Sequence, residues 1–195
     1  MAPRVTVFLD YQNVHKSGHE AFCQSYAPIH ECLVDPLLVA EAVIAQRAPG
    51  GTLEQVRVYR GRPDPRKEPR LASANDQQMS AWIKDDRVLV KRRALRYPED
   101  WFAGSDERPQ EKGIDVSVAI DMVRLAYENT YDVGILFSRD SDLLPPLEMI
   151  RDLKLAHVET AGWAGTTRIG GRGVYHHTLD QAVFEQVRDT RYYNV

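Results

Sequence analysis

The chain has 195 residues, 43% apolar and 27% charged, with a formal net charge of −3. That length suits one well-packed domain and is short for two, and the composition is ordinary for a globular protein. No apolar run approaches the roughly 20 residues of a membrane helix, and two cysteines are too few for a disulfide framework or a zinc site.

Met1-Ala-Pro-Arg4 leads directly into a strand with no signal-peptide pattern, so cytoplasmic location and reduced thiols at Cys23 and Cys32 are the expectation. Residues 4–10 alternate and are rich in Val and Phe, which predicts a buried strand. The stretch 11–33 has weak periodicity and reads as a loop with a short helix. Asp35-Pro36 is an N-cap followed by Pro at the first helical position, opening a helix to about Arg47 that Gly50-Gly51 stops. A strand over 53–59, a Pro-rich basic loop over 60–69, a helix over 72–84 and a basic strand over 87–97 follow. Residues 98–111 are polar and turn-rich. The clearest helix covers 114–127, with Val116, Ala119, Ile120 and Val123 as its apolar stripe. Residues 132–138 form a nearly continuous apolar run of the kind buried on both faces of a parallel sheet. A helix over 143–153, a strand over 155–160, a glycine-rich loop over 162–173 and a last helix over 178–187 complete the chain. Strand and helix alternate without a repeat or a linker, which predicts one α/β domain with a mostly parallel sheet.

Three distant segments end in carboxylates: Asp10-Tyr-Gln-Asn13 after the first strand, Lys112-Gly-Ile-Asp115 opening a helix, and Ser138-Arg-Asp140-Ser-Asp142 after the buried strand. If the sheet is parallel, both strand ends lie on the edge where open α/β sheets hold their sites. Carboxylates converging there repel by ~4 kcal/mol per pair at 4 Å and an effective dielectric near 20, and a divalent cation reverses the sign. Oxygen ligands with no His or Cys beside them suit Mg²⁺ or Mn²⁺ rather than zinc. The matching chemistry is phosphodiester hydrolysis by an activated water. Taken singly, each acid has a plainer reading. Asp115 suits the positive end of its helix dipole, and Asp142 suits an N-cap.

Residues 57–96 carry 12 Lys/Arg against 5 Asp/Glu, while the rest of the chain carries 13 against 23. A basic middle beside an acidic remainder places a polyanion groove next to a carboxylate cluster, or else makes two solvated faces. Arg60 and Arg62 in the loop, with Lys91 and Arg93 on the strand, are the candidates for phosphate contact. Tyr59, Tyr97 and Trp101 are candidates for base stacking or for packing. The Gly-rich Arg168–Gly173 stretch lacks the P-loop Lys-Ser/Thr, and the six histidines show no metal-ligand spacing.

Together the three acidic segments resemble the signature segments of NYN domains, in the PIN-like nuclease group, over roughly residues 5–159. The resemblance implies a PIN-like three-layer α/β sandwich with a central, mostly parallel sheet. The single domain would span 1–195, with its core at about 4–160 and a Gly-rich loop and C-terminal extension at 161–195. It implies a Mg²⁺- or Mn²⁺-dependent endoribonuclease acting on single-stranded or looped RNA, or an RNA-binding module that keeps the acids without cleaving. By motif match Asp10, Asp115 and Asp140 are metal ligands and Asp142 a ligand or an outer base. Asn13 and Ser138 orient ligands or water, and Lys112 meets phosphate. Arg139 stands where the family usually has Gly, so it binds the scissile phosphate or points outward. A phosphatase of the haloacid-dehalogenase type is disfavoured, because the second acid expected two residues after Asp10 is Gln12.

Overall fold

Apolar strand runs that alternate between two covered faces organise the molecule. The computed structural model describes residues 2–170 and 173–193. Its elements, in chain order, are β1 (Arg4–Asp10), α1 (Tyr11–Phe22), α2 (Pro36–Gln46), β2 (Thr52–Arg62), α3 (Pro69–Trp82), β3 (Val88–Ala94), α4 (Ile114–Tyr127), β4 (Val133–Phe137), α5 (Leu144–Asp152), β5 (His157–Trp163), β6 (Tyr175–Leu179) and α6 (Gln181–Gln186). The strands form one sheet in the order β3-β2-β1-β4-β5-β6, every neighbouring pair parallel. Val5, Val7, Leu9, Ile135 and Phe137 face a core closed by α1, α2, α3 and α6. Phe8 and Leu136, on the other side of the same strands, face a core closed by α4 and α5. The period-2 alternation of strand side chains thus yields three layers, a sheet between helices, consistent with a PIN-like fold.

The order of strands reverses between β1 and β4, so the crevice beyond their carboxyl ends lies at the topological switch point. That is where Asp10 ends β1 and Ser138 follows β4. Helix α2 begins as its sequence dictates, with Asp35 accepting from the Leu37 and Leu38 amides at 2.9 and 3.2 Å. No helix among the described residues is long and apolar enough to cross a membrane.

Several expectations are corrected. Residues 11–22 are a full helix; its buried side is Tyr11, Val14, Ser17 and Gly18, and the last two break the apolar stripe that periodicity needs. Strand β6 follows the Gly-rich stretch and takes the first residues expected in the last helix: Tyr-His-His-Thr-Leu is polar, yet His177 is buried with Nε2 2.6 Å from Glu159. Residues Gly171 and Arg172 of that stretch lie outside the described residues. The stripe expected to bury α4 is only half right: Ala119 and Val123 are partly buried against the core, Val116 and Ile120 are exposed, and Ile114, Val118, Met122 and Leu125 fill the core. Finally, Cys23 and Cys32 are joined in a disulfide rather than present as free thiols. Their closeness in sequence is what permits it. Cys23 caps α1, Cys32 follows a 3-10 turn at Ile29–Glu31, and the turn brings their Cα atoms to 6.7 Å.

Candidate functional site

The two central strand ends are tied across the switch point by their own polar residues. Asp10 leaves β1 in an extended conformation and caps α1, its Oδ1 accepting from the Asn13 amide at 3.3 Å. Its Oδ2 accepts from the Ser138 hydroxyl at 3.2 Å, and Ser138 Oγ in turn accepts from the Asp140 amide at 3.1 Å. Asn13 returns the tie, its Oδ1 accepting from the Arg139 amide at 3.3 Å. Asn13 and Ser138 therefore fix the backbone and carboxylate of the neighbouring segment. The parallel pairing of Leu9 with Phe137 makes this possible.

The third segment arrives through Gly113, which sits at φ +74°, a left-handed conformation that favours glycine, and caps α4. Ile114 is buried in the core below, which holds Asp115 in the first helical turn at the crevice. Just upstream, Glu111 accepts from the Gly61 amide at 2.5 Å. A Cβ at residue 61 would stand 2.9 Å from Glu111 Cγ and 2.2 Å from Leu95 Cδ2, so glycine there is what lets Glu111 reach the strand.

Asp10, Asn13, Glu111, Lys112, Asp115 and Asp140 line a cavity of about 470 Å³, completed by Gln12, Lys16, Gly113, Ile114 and Arg139. Asp10 is only 7% exposed. Its carboxyl is pushed up to about 6, first by burial and then by the negative charge of Glu111, against the hydrogen bonds from Asn13 and Ser138; Asp140 adds to the rise. Burial also raises Glu111, opposed by the Gly61 amide and by the charges of Arg60 and Lys16. Two of the acids on the cavity wall are thus held back from ionising chiefly by their burial. Asp142 does not join it: its side chain is exposed on a 3-10 turn, and its amide donates to Asp140 Oδ1 at 3.0 Å.

The cations divide in the same way. Arg60 is no loop residue; it lies on β2 with its guanidinium 4.9 Å from the Tyr11 ring and 5.2 Å from the Trp82 ring, bonded to Gln78. Arg62 forks onto Asp76 at 2.7 and 2.9 Å, and Arg92 meets the same carboxylate. Lys91 pairs at 3.2 Å with the buried Asp121, which also accepts from the Tyr59 hydroxyl. Tyr59 is thus a core residue, whereas Tyr97 and Trp101 pack edge to face under Lys67. Arg139 Nη1 is held at 2.7 Å by Glu20 on α1, which draws this cation toward the helix flank while it still borders the cavity. Arg93 lies against Gly113, its Cζ 3.4 Å from where a Cβ would be. Lys16, Lys112 and Arg93 have no ion-pair partner among the described residues, and they stand on or beside the cavity wall.

A family model of the NYN domain matches residues 4–169. The chain belongs to the NYN domain family. The NYN assignment gives a nuclease-like fold, and the matched span contains all three acidic segments. A solved structure of a protein of unknown function from Vibrio parahaemolyticus aligns with a TM-score of 0.57 at 16% identity, covering 92% of this chain and 94% of that one. That likeness concerns the fold. No curated protein matches the chain.

Two charged residues on the cavity wall, Glu111 and Lys16, escape a reading of the sequence alone. Glu111 sits one helical turn before Asp115 in number but in a loop, so no periodicity flagged it. Lys16 is one turn beyond Gln12 and Asn13 on a helix read as a loop. Among the described residues no three His, Cys, Asp or Glu side chains converge closely enough to clasp a bare metal ion. The donors nevertheless fit a hydrated one. Mg²⁺ keeps most of its waters and takes one or two carboxylates, and six waters at roughly 30 Å³ each occupy well under half of the cavity.

Proposed function

We propose that this NYN domain is a Mg²⁺- or Mn²⁺-dependent ribonuclease that hydrolyses phosphodiester bonds in single-stranded or looped RNA. The observation that carries the reading is the cavity at the switch point, where Asp10, Asp115, Asp140 and Glu111 line one space together with Lys16 and Lys112, which have no ion-pair partner among the described residues. Asp10, Asp115 and Asp140 are the carboxylates that would hold the ion, one or two of them directly and the rest through its waters, with Glu111 beside them in place of Asp142. When bound, the ion supplies activation of water and charge stabilisation at the leaving oxygen. Ser138 and Asn13 keep Asp10 aimed into the cavity through the bonds already described. Lys112, Lys16 and Arg93 neutralise backbone phosphates on either side of the scissile bond, without reading base identity.

A second reading, an RNA-binding NYN module without cleavage, is favoured by the acids' failure to converge as a preassembled group among the described residues. One experiment separates the two. Purified protein is incubated with an unstructured RNA, a hairpin RNA and the matching single-stranded DNA, with Mn²⁺, Mg²⁺ or chelator. Metal-dependent cleavage of RNA that disappears in Asp10→Asn and Asp140→Asn supports the nuclease. Cleavage that persists in both variants refutes the site, and RNA retention without cleavage establishes the binding module.

A further inference from the structure

The outward side of α4 does not line the cavity, and among the described residues only its half-buried Val123 packs against the core. Val116, Ile120, Val123 and Tyr127 are spaced four, three and four residues apart, the spacing of a seam that packs against another helix. Val116 is 53% exposed, Ile120 58% and Tyr127 79%. Beside them, across a shallow apolar groove of about 560 Å³, Met149 and Leu153 of the α5 side are 49% and 58% exposed. At roughly 100 Å² apiece these five side chains present about 500 Å² of apolar surface, near the upper limit for the largest patch on a monomer.

We propose that this face is the interface of a homodimer, with α4 of one copy packed along α4 of a second across a two-fold axis. Two features favour a second copy as the occupant. The surface carries both a ridge, the α4 stripe, and an adjoining groove between α4 and α5, and an isologous contact needs both on one patch. Pairing doubles the covered apolar area to about 1,000 Å², the size at which specific interfaces begin. Arg124, which lines the groove, is already compensated: it bonds Glu128 at 3.0 Å and approaches Asp121 at 3.7 Å. The seam starts at Val116, directly after Asp115, so the interface would abut the cavity wall without covering it.

The test is sedimentation equilibrium on the whole chain across a concentration series reaching roughly 100 µM, where a micromolar dimer is saturated. The wild type is expected at twice the chain mass of 22.2 kDa, with Ile120→Glu at one chain mass. Tyr127→Lys, at a side chain that is almost wholly solvated, gives a second monomer that cannot be blamed on misfolding. Circular dichroism of both variants is expected to match the wild type, and the thermal midpoint to depend on concentration only in the wild type. A wild-type monomer at the highest concentration overturns the proposal and leaves the face to a different partner. A dimer that survives both substitutions overturns it too, because the contact then lies elsewhere.

Discussion

Replacing Asp10 by Asn should make the protein more stable at neutral pH while abolishing its proposed activity. The buried carboxyl is pushed from 3.8 to about 6 by desolvation and by Glu111. A raised acid pKa means that the folded state holds a proton that the unfolded chain has released between pH 4 and 6, so stability falls as pH rises through that window. The shift of about two units amounts to about 3 kcal/mol at pH 7 and above, and nothing below pH 4. Asn avoids the ionisation, keeps an oxygen for the Asn13 amide, and turns a donor toward Ser138. The retained gain is then about 1–3 kcal/mol, or a rise of roughly 2–12 °C in thermal midpoint for a domain of this size. Urea unfolding of both proteins from pH 4 to 8 reads the effect directly. The two curves should coincide near pH 4 and separate up to pH 6–7. An Asp10→Asn variant that is less stable at every pH, or a gap that ignores pH, refutes the claim that the cavity stores electrostatic strain.

Other outcomes follow from the same contacts. Lys112→Ala with Arg93→Ala should weaken RNA binding and lower the slope of log affinity against log salt by between one and two, as two lost phosphate contacts require. Lys91→Ala should instead leave that slope nearly unchanged and lower stability, because the lysine answers the buried Asp121; filter binding and urea unfolding distinguish the two. Gly61→Ala should cost about 1–3 kcal/mol by overpacking against Leu95 and should displace Glu111, seen as a lower thermal midpoint and weaker Mn²⁺ binding by calorimetry. Reducing Cys23–Cys32, which are nine residues apart, should lower unfolding free energy by about 2–3 kcal/mol, and the Cys23→Ser, Cys32→Ser double variant should show no response to reductant.

The site was legible where chemistry is local in sequence. A strand that stops on Asp, a Gly before a helical Asp, and Ser-Arg-Asp after an apolar run mark Asp10, Asp115 and Asp140 without a structure, and the parallel sheet follows from apolar runs buried on both faces. What the chain hides is set by partners far away. Arg60 reads as a loop cation because nothing in its neighbours announces Tyr11 and Trp82. Arg62 and Lys91 read as RNA contacts until Asp76 and Asp121 appear opposite them. Glu111 has meaning only beside Gly61, fifty residues upstream. The α4 stripe misleads for a different reason: the helix is apolar on two sides, and periodicity alone does not say which side the sheet covers. Helix α1 was hidden because its packing face mixes Tyr11 and Val14 with Ser17 and Gly18, which breaks the apolar stripe.

The central claim is that the carboxylates at the switch point hold a divalent cation. The most direct measurement is anomalous diffraction from crystals grown in Mn²⁺. The account predicts a peak in the cavity, bound by Asp10 and Asp140 with water completing its coordination. An empty cavity at saturating Mn²⁺, or a peak held only by Asp142 outside it, would contradict the claim.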